Sequence, residues 1–309
     1  QMERGKGLEN GQRRTLDARD RLARITGDPP SDQVRWFETF KTTFTFHQTP
    51  VDVARAFQHC LSQRPGAWVF TSATLAVGDD FSHFAQRLGL QDAVTQRWDS
   101  PFDFRRQALL YCPPTMPDPR DPAFGDALVE QAVTILNHSR GRAFLLFTSH
   151  RALQDTATQL HGRLPYPLLI QGSAPRAALL QRFRELGNAV LLGTSSFWEG
   201  VDVRGDALSC VIIDKLPFAS PGDPLLEARI DALRRDGRDP FAELQLPQAV
   251  ITLKQGVGRL IRDHQDRGVM VLCDPRLLNK FYGRVFFASL PPMTRTQQLD
   301  DVARFFADD

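Results

Sequence analysis

The stretch AVLLGTSSFWEGVD, from Ala189 to Asp202, opens with an apolar run of aliphatic residues and closes on small hydroxyl residues, an aromatic pair and two carboxylates. Such a run, short, nearly continuous and without polar alternation, is the pattern of a strand buried on both faces of a parallel sheet. Four further runs have the same character: AFLLFTS at 143–149, PLLI at 167–170, CVIIDKL at 210–216 and VMVLCDP at 269–275.

Segments with helical spacing alternate with these runs: FGDALVEQAVTILNHS from 124, RALQDTATQLHGRL from 151, APRAALLQRFRELG from 174, PLLEARIDALRRDG from 224 and LPQAVITLKQGVGRLIRDH from 246. Pro175, Pro224 and Pro247 stand at the starts of the last three, where a missing N–H costs little. Alternating strands and helices predict an α/β, doubly wound parallel sheet with helices on both faces. Upstream, AWVFTSATL at 67–75 followed by DDFSHFAQRLGL at 79–90 reads as a separate strand-loop-helix unit, and the proline-rich PPTMPDPRDP at 113–122 as a linker. The first 45 or so residues are polar, with aromatics gathering at Trp36, Phe37, Phe40, Phe44 and Phe46.

Composition narrows the class. With 309 residues, 42% of them hydrophobic, the chain can bury a substantial core. Charged residues make up 24% with a net charge of +2, so a nucleic-acid partner is neither demanded nor excluded by the global balance. Cys60, Cys112, Cys210 and Cys273 are far apart and show no zinc or iron–sulfur spacing. Three adjoin apolar runs, and the expected state is reduced, buried thiols. No apolar run is long enough to span a bilayer, and the N-terminal residues lack a signal-peptide core; the expected setting is cytoplasmic, without membrane association.

In open parallel sheets ligands bind beyond the carboxyl ends of the strands. The residues there are Thr71 to Thr74, Thr148 to His150, Gly193 to Asp202 and Lys215 to Phe218. Small hydroxyl residues at such ends can hold phosphate oxygens, although each also serves as an ordinary helix cap. The most specific stretch is Gln255-Gly256-Val257-Gly258-Arg259-Leu260-Ile261-Arg262. If it is helical, Arg259 and Arg262 share a face while Leu260 and Ile261 turn to the core. Two glycines in a helix lose about a kilocalorie each relative to alanine, which implies close approach of another group.

The order SAT, FTS, GTSSFWEGVDVRG, IIDKLPFASPGDP and QGVGRLIR resembles the later half of the superfamily 2 DNA helicases of the XPD/DinG group, above all the bacterial DinG-like branch that includes YoaA. The resemblance covers roughly residues 47–290. It implies a RecA-like second motor domain at 106–290, preceded by a returning arch segment at 1–46 and the end of the first motor domain at 47–105, with a partner-binding helix at 291–309. It also implies a longer parent, because no G-x-x-x-x-G-K-[ST] loop and no Asp-Glu dipeptide is present here. ATP and Mg2+ would serve that parent, with a 4Fe-4S cluster upstream and none in this stretch.

Residue by residue, Arg259 and Arg262 match positions that reach the γ-phosphate, and Gln255 one that orients water or phosphate. Ser72 and Thr74, with Glu199, Gly200 and Asp202, match segments that couple the nucleotide to the strand-binding surface. Ser149, Thr194, Ser195 and Lys215 are the expected contacts to single-stranded DNA, with Phe197 or Phe218 against bases. The activity implied is 5′ to 3′ translocation in DNA repair and replication-fork rescue. A non-catalytic interaction module and an RNA or nucleoside-triphosphate enzyme of the same fold are the alternatives.

After Pro291-Pro292, the residues Leu299, Val302 and Phe306 fall on one helical stripe with Phe305 beside it. This amphipathic helix either packs on its own motor domain or enters a partner's groove. The resemblance supplies the chi subunit of DNA polymerase III as that partner, with Arg295, Thr296, Leu299, Val302, Phe305 and Phe306 in the interface.

Overall fold

The computed structural model describes residues 2–28, 30, 32–198, 203 and 205–307, which form two compact units. The first comprises residues 1–69, 84–93 and 219–244. It contains the helix Met2–Thr26 and an antiparallel hairpin of β1 (Gln33–Thr39) and β2 (Phe44–Pro50), paired from Gln33↔Pro50 to Thr39↔Phe44. Two of the aromatics noted in the sequence are cross-strand partners, Phe37 opposing Phe46, and Trp36 stacks on His47 at 3.8 Å. The helix Pro224–Arg235 is capped by Asp223, whose carboxylate accepts from the N–H of Leu225 and Leu226, and it is tied to the hairpin's exit by Arg229 Nε donating to the Val51 carbonyl at 3.0 Å.

The second unit comprises residues 70–83, 94–218 and 245–309. Its strands are β3 (Ala108–Tyr111), β4 (Ala143–Leu146), β5 (Leu168–Ile170), β6 (Val190–Gly193), β7 (Cys210–Ile213), β8 (Gly268–Leu272) and β9 (Thr294–Thr296). Among the described residues these seven form one sheet in the order β5-β6-β4-β7-β8-β3-β9, and every pairing is parallel.

Both faces are covered, which is why the runs carry no polar alternation. On one side Leu145, Phe147, Val190, Ile212 and Val271 share a core with Leu128, Ala132 and Ile135 of the helix Phe124–His138 and with Leu153 of the helix His150–Leu160. On the other, Phe144 lies 4.8 Å from Phe183 of the helix Arg176–Leu186. There Gly256, in the helix Leu246–Val257, lets that helix approach Trp198 and Ile213. A Cβ on this glycine would stand 2.9 Å from the Trp198 ring. Close approach explains Gly256, and the approaching group is a core tryptophan.

The expected break at residue 46 falls inside β2, and the one at 105 inside the short helix Phe104–Gln107. The expected strand AWVF does not form among the described residues, and Trp68 and Val69 are exposed. Of the two settings expected for the C-terminal helix, the chain shows packing on its own sheet-bearing unit. β9 closes the sheet edge beside β3, and the helix Leu299–Ala307 packs against the core with Val302 fully buried and Phe306 nearly so. The amphipathic stripe is therefore satisfied within the chain, so Val302 and Phe306 are not available as surface contacts for a partner.

Candidate functional site

A polar row follows the carboxyl ends of the strands in sheet order. Beyond β5, Gln171 Oε1 accepts from the N–H of Thr194 at 2.6 Å and from its hydroxyl at 3.2 Å; the Thr194 hydroxyl lies 3.4 Å from His150 Nε2. Beyond β4, Thr148 N–H donates to Asp214 Oδ1 at 3.0 Å, and the same oxygen accepts from Lys215 N–H at 2.7 Å. Ser149 accepts from Ala152 N–H and so caps the helix His150–Leu160. Beyond β8, Asp274 accepts from Leu216 N–H at 2.8 Å and pairs with the Arg276 guanidinium at 2.6 Å. The Arg276 guanidinium lies 5.5 Å from the Phe218 ring centroid, and Phe218 meets Tyr282 and Phe286 edge-on.

Burial pushes the Asp214 carboxyl up to about 7, against the pull of Lys215 and of the N–H groups of Lys215 and Thr148. A buried carboxyl that accepts from two loops fixes both loops together. The Lys215 ammonium itself lies 5.2 Å from the Phe124 ring centroid, partly exposed.

Of the expected strand contacts, Ser149 is exposed and Lys215 and Phe218 are half-buried in this row, while Thr194 is 4% exposed. Phe197 is a correction. It is 1% exposed and occupies the space that a Cβ on Gly193 would fill, so it is core rather than a surface for bases. Ser195 opens the short helix Ser195–Trp198. Trp198 is buried, its indole donating to the Phe147 carbonyl at 3.4 Å. Glu199, Gly200 and Asp202 lie outside the described residues. The sequence reading missed Asp214 and Asp274, although each directly follows a strand run and could have been found by aligning the strand ends.

The arginines also differ from expectation in their setting. The helix stops at Val257, capped by Gly258, and Arg259 to Arg262 form a turn rather than another helical turn. Leu260 and Ile261 are buried as expected. Arg259 Nε donates to the Trp198 carbonyl at 3.0 Å, which orients its guanidinium. The N–H groups of Arg262 and Asp263 both donate to Asp266 Oδ2, at 2.7 and 2.8 Å, and Gly205 N–H donates to Oδ1 of the same carboxylate. This turn leads into β8 and Gly205 precedes β7, so it lies at the amino ends of those strands, opposite the polar row.

The segment Ser72–Ala76 meets the helix Leu246–Val257, which leads into the arginine turn. Thr74 N–H donates to the Ser72 hydroxyl at 3.2 Å, and Ser72 borders a cavity of about 400 Å³ lined also by Phe70, Arg97, Trp98 and Lys254. Lys254, the residue before the half-buried Gln255, donates to the Ala76 carbonyl at 2.8 Å. Burial, with Arg97 adding to it, holds its ammonium below the usual lysine range.

An all-parallel sheet covered on both faces, with a polar row beyond the carboxyl ends of its strands, is a RecA-like fold. The chain belongs to the helicase C-terminal domain family, whose model matches residues 132–293. It is 50% identical over 289 residues to the ATP-dependent DNA helicase YoaA of Escherichia coli, covering 94% of this chain and 45% of that protein. To the YoaA of Haemophilus influenzae it is 46% identical over 270 residues, covering 87% of this chain and 42% of that protein. The chain thus spans less than half the length of these relatives. A solved structure of XPD helicase shares the fold at TM-score 0.58 and 15% identity, over 86% of this chain and 48% of that one.

Proposed function

We propose that these residues are the C-terminal part of an ATP-dependent, 5′ to 3′ DNA helicase that acts in DNA repair and at stalled replication forks, in the cytoplasm, with its second motor domain at 106–290 after an arch segment at 1–46 and the end of the first motor domain at 47–105. In this reading Arg259 and Arg262 meet the γ-phosphate of ATP, and the polar row from Thr194 through Ser149 and Lys215 tracks single-stranded DNA. The observation that carries it is the arginine turn: one guanidinium is anchored on the Trp198 carbonyl and the backbone beside the other is clamped by Asp266. Positioned positive charge is what phosphoryl transfer needs, and an arginine finger contributes roughly 10³ to 10⁵ in rate. Gln255 orients water or phosphate. Ser72, Thr74, Glu199, Gly200 and Asp202 couple nucleotide to strand. The phosphate-gripping loop, the Mg2+ carboxylates and a 4Fe-4S cluster belong to sequence outside these 309 residues.

The test uses the full-length parent. Arg259→Ala and Arg262→Ala should each lower DNA-stimulated kcat by at least about a hundredfold, with nucleotide affinity changed far less, since their charge acts in the transition state. Near-normal turnover in either variant would remove that arginine from the role.

The same reading includes docking on the chi subunit of DNA polymerase III. Since Val302 and Phe306 are buried, contact would run through exposed Arg295 and the partly buried Thr296, Leu299 and Phe305 at the sheet edge. Calorimetry with purified chi should register weakened binding for Arg295→Glu; unchanged affinity would exclude this edge.

A further inference from the structure

At the amino end of the sheet, next to the arginine turn, lies an open groove of about 540 Å³ lined by Pro101, Asp103, Arg106, Gln107, His264, Gln265 and Arg267. Its lining is charged and amide-bearing, with two guanidiniums and one imidazole against a single carboxylate. That chemistry suits an anion and does not suit an apolar ligand.

The groove is built on rigid parts. Gln107, 7% exposed, donates from its side-chain amide to the carbonyls of Asp263 and Asp266, each at 2.9 Å. Asp266, also 7% exposed, is the carboxylate that clamps the arginine turn. The groove floor and the turn therefore share one scaffold, so an occupant of the groove is held at a fixed distance from Arg262. On the walls, the Arg267 guanidinium lies 4.7 Å from the Phe305 ring centroid, and His264 meets Phe102 edge-on at 5.3 Å. Arg106 is exposed, and among the described residues its side chain makes no hydrogen bond or ion pair. An exposed guanidinium on the wall opposite a second guanidinium and an imidazole supplies donors for phosphoryl oxygens.

We infer that the groove between Arg106, His264 and Arg267 is a second anion site that binds phosphate groups, separate from the contact made by Arg259 and Arg262. Only the source of the phosphate rests on the function proposed above: a single-stranded DNA backbone or the polyphosphate of a nucleotide.

The experiment titrates the chain with two probes, a fluorescent oligothymidylate across a salt series and inorganic tripolyphosphate by calorimetry. The variants are Arg106→Gln, Arg106→Glu and Arg267→Gln. Arg106→Gln, at an exposed position, leaves the fold intact, and a melting curve checks this for Arg267→Gln. Loss of one charge-assisted contact should weaken the bound probe about tenfold, with Arg106→Glu weaker still. If the strand is the source, each neutralised arginine also lowers the slope of log K against log salt by roughly 0.7. A change confined to oligothymidylate assigns the backbone, and one confined to tripolyphosphate assigns a nucleotide. Unchanged binding of both probes in all three variants overturns the site. Since Arg259 and Arg262 stay intact in these variants, that result would leave the function proposed above standing, whereas undiminished turnover in the Arg259 and Arg262 variants would remove that function without touching the groove.

Discussion

Asp214 is a carboxyl group placed where water cannot reach it, and its position makes stability depend on pH. Its folded pKa is pushed up to about 7 by burial, from an ordinary value of 3.8. The protonated form is thus the one the fold prefers, and its contribution to stability is fully present below about pH 4. As pH rises from there toward 7 the unfolded chain has already released the proton while the folded chain holds it, so stability falls. Asp214→Asn removes the ionisation and keeps an acceptor for Thr148 and Lys215 N–H. Its stability relative to the native chain should rise by roughly 1.4 kcal/mol per pH unit across that window and level off above it. Urea denaturation at pH 5 and pH 7.5 measures this; a constant gap between the two proteins would show that Asp214 ionises freely.

Among the elements, the helix Leu299–Ala307 carries the clearest division between what sequence could and could not tell. Its amphipathic stripe is plain from Leu299, Val302 and Phe306, yet periodicity says only that a face must be buried, not against what. The deciding feature was β9, three residues reading Thr-Arg-Thr, which is too short and too polar to show a buried or alternating run although its threonines suit a strand; it pairs with the edge of β3. β3 itself left a trace in the apolar run ALLY before two prolines. Phe306→Ala should cost about 3 kcal/mol, a shift of about 6–12 °C in the melting temperature of the sheet-bearing unit, as for a core truncation. A loss under 1 kcal/mol would mean that the helix is only loosely docked. Likewise the five strands read as buried runs all formed, because double-sided burial is written in composition, whereas Phe197 and Trp198 could not be sorted into surface and core until the space beside Gly193 and Gly256 was seen. The arginine turn escaped for a similar reason: helical spacing predicts a shared face as long as the helix continues, and here Gly258 ends it.

For the whole molecule, the prediction is negative and simple to test. The chain has no G-x-x-x-x-G-K-[ST] loop to cradle phosphates, so by itself it should show no steady ATP turnover, with or without single-stranded DNA. A coupled phosphate-release assay on the purified chain checks this. Sustained release, abolished by Arg259→Ala, would mean that phosphate is gripped by residues not recognised above.

The order of the strands also bears on how the molecule is made. β3 is the first strand of its sheet to leave the ribosome, yet both its neighbours come last: Ala108 pairs with Gly268, and Leu109 with Thr294. During synthesis the nascent chain must carry an unpaired apolar strand, with its ladder of N–H and C=O groups open on both sides, until the residues from Gly268 and then Thr294 have emerged. Loops of that length close slowly, and the waiting strand is the segment most exposed to capture by chaperones or by other nascent chains.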